Sequence, residues 1–423
     1  MRDIAITLIV MIGCFYTFKK PYIGVLLWSW LSYMNPHRMA YGFAYSMPYA
    51  QVTAIVLLLA TFFTKQKQAL PLNSITLPWI LFISFMGVTT LFAFYPDYAL
   101  IQCIKVVKIQ LIVFLTMLLI TDFEKLKQLI WVIVFSIGYF SVKGGVFTLL
   151  TGGGYRVWGP PESFIEDNNG LAIAVLMIIP LMIFLRQTSD KRWVKHGLTF
   201  AIITSLFTVV GSQSRGALLA IIAVGGFYWL KTEGKIVSGF FIAILAIVIM
   251  AFMPESWYTR MDTINTYEED ASAMGRLNAW EYAYNAANHN ILGMGFESWS
   301  EITFAMYAPD PLDVHAAHSI YFTVLADHGW LGLSMFLSIF FMTWRTLSEV
   351  VKNTKELGDL RDINLLARML QVGLIAYMVG GAFLSLSYFD LPWHLISFVV
   401  LIEKYLNQSL ANNADSQKTA KYY

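Results

Sequence analysis

Charge is what this 423-residue chain has least of: 13% of it is Asp, Glu, Lys or Arg, against about 25% in an ordinary soluble domain. With 57% hydrophobic residues, that deficit excludes a soluble globular fold of this length, and no nucleic acid partner is expected. Cysteine is scarce too. Cys14 and Cys103 both sit inside apolar runs, which excludes a disulfide framework. The small-residue cleavage site of a signal peptide is missing, because Arg2 and Asp3 open a first apolar run that leads straight into Lys19, Lys20 and Pro21. There is no visible internal repeat. The dyad alternation of a transmembrane barrel is also lacking.

What the chain has instead is repeated apolar runs of membrane length, roughly 16 to 25 residues. They lie near 3–18, 22–34, 48–64, 75–94, 98–121, 126–150, 168–187, 196–211, 215–231, 235–253, 329–347, 363–386 and 390–406. The first two are short and could form one hairpin. The expected fold is therefore all-α: a polytopic transmembrane helical bundle of 12–13 spans. The distribution of Lys and Arg sets the orientation. Placing Lys19/Lys20, Lys65/Lys67, Lys125/Lys127, Arg186–Lys195, Lys231/Lys235, Arg345–Arg361 and the C-terminal tail in the cytoplasm puts 19 basic residues inside and leaves six outside. Those six are Arg2, Arg38, Arg156, Arg215, Arg260 and Arg276, while Lys105, Lys108, Lys143 and Arg368 fall within spans.

One integral membrane domain is expected over residues 1–407. It comprises N-terminal spans (1–121), central spans (122–253), a large periplasmic loop with short helices (254–328) and C-terminal spans (329–407). Residues 408–423 read as a disordered cytoplasmic tail. Three outer connections stand out: the Gly/Pro loop "TGGGYRVWGPPESFIED" at 151–167, the turn "GSQSRG" at 211–216, and the long polar stretch 254–328. In the last, Leu277, Trp280, Tyr284 and Ala287 have helical spacing over 276–288.

The residues able to do chemistry collect on this outer side. After Pro309 and Pro311, Asp313 reads as an N-cap, which puts His315 and His318 in the first turn of a helix, three apart on one face. The positive end of that helix would keep the imidazole neutral, as a general base needs to be. The segment 314–327 is expected to lie along the interface, with Gly329 turning the chain into a span, so that Asp327 and His328 mark a surface bend rather than buried polar groups. Lys105 and Lys108 stand close to one turn apart, about 10 Å below the outer boundary. Intramembrane lysines are costly and usually face a polar cavity or a partner. Together with Lys143, Arg215, Arg276 and His318 they describe an outward-facing cationic site suited to a phosphorylated lipid whose tail stays in the bilayer. A histidine satisfied by a neighbouring loop, and arginines that snorkel or lie solvated, are the plain alternatives. "YEED" at 267–270 with His315 and His318 could supply metal ligands, but its carboxylates are adjacent rather than on one face. No metal and no cofactor are expected.

"HSIYFTVLADHGWLG" (318–332) resembles the signature of the O-antigen ligase and polymerase superfamily: His318, Ser319, nine residues, then Gly329 and Gly332. "SQSRGALLA" (212–220) is similar to that family's Ser-Arg segment and points to Arg215. "GRLNAWEYAYNAANHNILGMGFE" (275–297) is similar to its Arg-x-x-x-Trp stretch and points to Arg276. "DNNGLAIAVLMIIP" (167–180) resembles an Asp-Pro-Asn span start, with Asn168 in place of the proline and Asn169 in the asparagine place. The N-terminal stretch 21–51 resembles exosortase-associated O-glycosylation ligases.

The resemblance implies a glycosyltransferase of the bacterial inner membrane with its active site facing the periplasm. It would move a glycan en bloc from an undecaprenyl-diphosphate donor to a hydroxyl of a protein or lipid acceptor, with inversion and without a metal. Arg215 and Arg276 would grip the diphosphate, His318 would act on the acceptor hydroxyl, and Asn169 would lie in the substrate site. A donor-binding role for Lys105 and Lys108 rests on depth and charge alone. A repeat-unit polymerase would use similar residues. A transporter or flippase for an anionic lipid or solute would explain the buried lysines but would leave His318 without a task.

Overall fold

In a computed structural model of the chain, the described residues are 1–231, 234–255, 257–258 and 271–420, and no strand occurs among them. The helices are α1 (Arg2–Lys19), α2 (Tyr22–Met34), α3 (Tyr49–Phe63), α4 (Thr76–Leu91), α5 (Pro96–Leu119), α6 (Phe123–Leu150), α7 (Asn168–Gln187), α8 (Arg192–Gly211), α9 (Arg215–Lys231) and α10 (Lys235–Phe252). They continue with α11 (Ala271–His289), α12 (Glu301–Tyr307), α13 (Ile320–Thr354), α14 (Arg361–Gly380) and α15 (Asp390–Ala420). Each apolar run thus carries a helix. Six of them are long and apolar enough to cross a membrane: α5, α6, α7, α8, α13 and the segment 358–383 that contains α14. Five more are apolar but shorter: α2, α3, α4, α9 and α10. This is an all-α polytopic bundle.

The main core gathers around α7, whose sequence "LAIAVLMIIPLMIFL" is apolar all round and buried on every side. A helix without a polar face has to be wrapped by others, and α7 packs against α6, α8, α9 and α14. The aromatic stack Trp79, Trp393, Phe82 and Phe336 ties α4, α15 and α13 together on the other side of the core. At the N-terminus, α1 and α2 break at Lys20–Pro21 and pack on each other and on α3 around a separate small core of Val10, Leu27, Leu31 and Tyr49. With 13 residues, α2 is about 20 Å long, short of a ~30 Å hydrocarbon core.

Three expectations differ from the structure. Residues 314–319 form no helix; α13 starts at Ile320, where the Ser319 hydroxyl accepts from the Tyr321 N–H at 3.3 Å as N-cap. Asp313 does not cap, because its carboxylate is taken by the His315 ring at 2.7 Å. Second, Asp327 and His328 are not at a surface bend. They are 2% and 0% exposed. Third, α15 passes residue 408, where a disordered tail is expected, and ends at Ala420. The stretch holds weak helix formers such as Asn412, Asn413, Asp415 and Ser416, but it extends a helix already nucleated in the core, which costs far less than starting one.

Candidate active site around His318

The site is built where four chain turns meet. The first is the start of α7. Asp167 caps it, its Oδ1 accepting from the N–H groups of Asn169 and Gly170 at 2.8 and 3.0 Å. Asn168, in the first turn, donates through Nδ2 to the Ser212 carbonyl at 2.7 Å. That bond fastens α7 to the second turn, "GSQSR". There Gln213 adopts a left-handed backbone (φ 55°) and reaches the Gly153 carbonyl at 3.1 Å. The next helix opens with the half-buried Arg215, and Gly216 lies against Phe383.

The third turn is the N-terminal end of α11, which carries Arg276. This helix is strapped along the extended segment 310–318. The Asn278 amide donates to the carbonyls of Asp310 and Asp313 at 2.9 Å each and accepts from the Asp310 N–H. Trp280 Nε1 donates to the Ala317 carbonyl at 2.7 Å, and its ring stacks on Phe322 at 4.9 Å and 9°. Phe383 also touches Trp280, so one indole joins the surroundings of Arg215 to the residue before His318. Gly275 is needed at its position because a Cβ there would stand 2.5 Å from the His315 ring.

The fourth turn is His318 itself. It sits at φ 44°, a left-handed conformation uncommon for a residue with a side chain and held only where the surroundings impose it. Here the Ala317 carbonyl is fixed by Trp280, and Ser319 must begin the helix. The His318 edge is open to solvent, but packed walls remove part of its hydration. That desolvation, and then the Arg276 guanidinium, lower its pKa; Asp167 acts in the opposite sense, and His315 lowers it further. The ring is therefore neutral in the neutral range, and the positive end of α13 one residue away favours the same state. His318 thus stands at the residue ahead of the cap, not in the expected first turn.

The expected residues are brought together unequally. His318 is within electrostatic reach of Arg276 and of Asp167, and the turn that carries Arg215 is tied to α7 by the Asn168–Ser212 bond and lies, at Gly216, against Phe383. Asn169 lies in the first turn of α7 beside Asp167. Lys105 and Lys108 lie on the exposed face of α5. The Lys105 ammonium stands 4.5 Å from the Phe164 ring centroid, in the same loop that ends at Asp167. Among the described residues, no group of three or more His, Cys, Asp or Glu is placed to hold a metal ion; "YEED" and Arg260 lie outside the described residues. Asp167 and Trp280 are site residues that sequence reasoning did not nominate, although both stand inside the stretches quoted for their neighbours.

Beneath the site, α13 bends at Gly329 (φ 65°, ψ −171°). Just ahead of the bend Asp327 and His328 are held in a buried network. The Tyr388 hydroxyl lies 2.8 Å from Asp327 Oδ2 and 3.0 Å from His328 Nε2, and Thr89 Oγ1 lies 2.7 Å from His328 Nδ1. Tyr388 donates to Asp327, and the Nε2–H tautomer lets His328 donate to the Tyr388 oxygen, while the Thr89 hydroxyl also donates to the Met86 carbonyl at 3.0 Å. The backbone of 293–295 adds N–H bonds from Met294 and Gly295 to the carbonyls of Ala326 and Asp327 at 2.8 and 3.0 Å.

Comparison with known proteins divides the chain in two. Residues 200–337 match the family model described as O-Antigen ligase, a match that contains Arg215, Arg276, Trp280 and His318. Residues 1–190 match a family described only as one of unknown function. No curated protein matches the chain.

Proposed function

We propose that this chain is a membrane glycan ligase, a reading supported by the match of residues 200–337 to the family model described as O-Antigen ligase. It takes a glycan from undecaprenyl diphosphate and transfers it to a hydroxyl of a protein or lipid acceptor, at the periplasmic face of a bacterial inner membrane. The observation that supports this reading is His318 held on a left-handed backbone just ahead of the α13 cap, within electrostatic reach of Arg276 and Asp167.

In the reaction, the acceptor oxygen forms a bond to the anomeric carbon as that carbon's bond to the diphosphate oxygen breaks. The electron pair leaves with the diphosphate, and the acceptor proton passes to His318 Nδ1 or Nε2. Arg215 and Arg276 hold the diphosphate. Their fixed charge is worth most as the leaving oxygen becomes an anion. One displacement inverts the carbon. His318 can take the proton because desolvation and Arg276 keep it unprotonated; once protonated, it is repelled by Arg276 and attracted by Asp167, which orients the ring. Asn169 contributes to the donor site from the first turn of α7. Lys105 and Lys108 attract the donor's phosphates along α5. The chemistry requires no metal in this scheme.

Reconstitution tests it. Purified protein, a lipid-diphosphate glycan and candidate acceptors should give a glycosylated acceptor and free undecaprenyl diphosphate. Arg215→Ala and Arg276→Ala should each weaken donor binding by about 1.5–3 kcal/mol; unchanged donor affinity in both would remove the diphosphate clamp. EDTA should leave the rate unaltered. Activity lost to EDTA and restored by Mg²⁺ would overturn the metal-free step.

A further inference from the structure

A cationic cavity whose lining includes none of His318, Arg215 and Arg276 lies in the N-terminal part of the chain. It has a volume of about 780 Å³, and Arg2, Arg38, Lys143 and Arg156 line it together with Tyr139 and Trp158. No Asp or Glu is among its described lining residues. Three carboxylates stand close by: Glu162 pairs with Arg38 at 2.9 Å, Glu166 accepts from the Glu162 N–H at 2.9 Å, and Asp3 accepts from the Ala44 N–H. Four cations against three carboxylates still leave the lining itself cationic. The loop bearing Arg156 is fixed in place, since Asn35 Nδ2 donates to the Pro161 carbonyl at 2.7 Å and the Gly159 N–H to the Glu166 carbonyl at 2.8 Å.

A neighbouring cavity of about 800 Å³ shares Tyr139 and Lys143 with it. The second is largely apolar: Trp30, Trp131, Phe135, Met182 and Trp193 are among its walls, with Lys191 as its other cation. Along α6 it extends from Trp131 to Lys143, about 18 Å at 1.5 Å per residue. That is comparable with one leaflet of a ~30 Å hydrocarbon core. A compact positive chamber at one end of a leaflet-deep apolar groove is complementary to a single kind of molecule. We propose that this site holds a lipid with a phosphate headgroup, its phosphate among Arg38, Lys143 and Arg156 and its chain against Trp131, Phe135 and Met182. Arg and Lys give the phosphate charge-assisted bonds. The groove sets the requirement for a tail, and a free anion would not need it.

The test uses the full-length protein in nanodiscs made from equal parts phosphatidylcholine and phosphatidylglycerol, extracted into mild detergent and weighed with its retained lipid by native mass spectrometry. Phosphatidylglycerol should be retained in preference to phosphatidylcholine. The double variant Lys143→Gln/Arg156→Gln should lose that retention by about tenfold or more. Arg156→Lys alone should keep most of it, which separates loss of charge from loss of fold. A Cβ at Gly197, which lines the groove, meets nothing within 4 Å, so Gly197→Trp adds bulk to the groove from a position open at its Cβ. It should abolish retention as the charge variant does. Equal retention of the two lipids, or retention unchanged in the double variant, would overturn the proposal. So would displacement of the lipid by inorganic phosphate alone together with an inert Gly197→Trp, which would make the chamber a site for free anions. His318→Ala should retain the lipid as wild type does, so this result and the transfer reaction fail independently.

Discussion

His318 and His328 stand ten residues apart in one segment and are held in opposite ways. The first lies ahead of the helix cap, on a left-handed backbone, with an open edge and charged neighbours, Arg276 and Asp167. The second is fully enclosed, with both ring nitrogens engaged by uncharged hydroxyls and two phenyl rings edge-on to it. A ring that must exchange a proton needs one nitrogen free of protein partners and a route to solvent. A ring that pins a bend needs both nitrogens satisfied, because an unpaired buried polar group costs about 1–3 kcal/mol. The comparison teaches that residue type and sequence neighbourhood did not assign the roles. The partners did.

Substitution at the two histidines is the sharpest way to break this contrast. His318→Ala should reduce glycan transfer by about 10²–10⁴-fold, the usual worth of a general base, while the thermal unfolding midpoint in detergent stays where it is. His328→Ala should behave the other way, leaving Tyr388 and Thr89 short of a partner and lowering the unfolding midpoint. If the two exchanged phenotypes, the assignment of roles would be reversed.

Next in size is Gly329→Ala. Its φ of 65° with ψ of −171° belongs to glycine, and a Cβ would stand 2.5 Å from the Ile291 carbonyl oxygen. The backbone alone should cost on the order of 1–3 kcal/mol, read as loss of unfolding temperature, with poor expression a further sign. A neutral result there would mean that the bend is not held where the structure shows it. Trp280→Phe is milder. It keeps an aromatic ring on Phe322 and removes the bond to Ala317, about 0.5–1.5 kcal/mol, and should slow transfer several-fold with little loss of donor affinity. An equal loss of donor affinity would put Trp280 in the binding site rather than behind it.

The smallest effect is one of pH. Desolvation and Arg276 hold the His318 pKa below the ordinary histidine value of about 6.5. The transfer rate should therefore stay flat as pH falls through 6.5 and decline only further down. Because the unfolded chain binds this proton more readily than the folded one, acidification through the same window should also cost a little stability. An inflection at or above 6.5 would show that Asp167 outweighs Arg276. In Arg276→Gln, the inflection should move up.

Much of the architecture was legible because it follows from one-dimensional quantities. Apolar runs located all the helices of the bundle, and the "GRLNAWEYAYNAANH" pattern located α11 in the long polar connection. The beginning of α13 was not legible. Asp313 and Ser319 are both acceptable caps by residue type, and the choice falls to Ser319 because His315 occupies the Asp313 carboxylate. The burial of Asp327 and His328 could not be read either. Its compensation comes from Tyr388 and Thr89, which lie 61 and 239 positions away. Nor could the cavity around Arg2, Arg38, Lys143 and Arg156, whose members are spread from α1 to the loop after α6.

The sequence by itself determined that the chain folds as apolar helices in a membrane, and its motifs named Arg215, Arg276 and His318. Helix formation and bilayer burial depend on local periodicity and summed hydrophobicity, and both can be counted along a string. Only the tertiary structure decided which histidine is free and which is clamped, and which cations share a chamber. Those properties depend on partners brought within a few ångströms by distant segments, where hydrogen bonds and charges act over distances that separation along the chain does not encode.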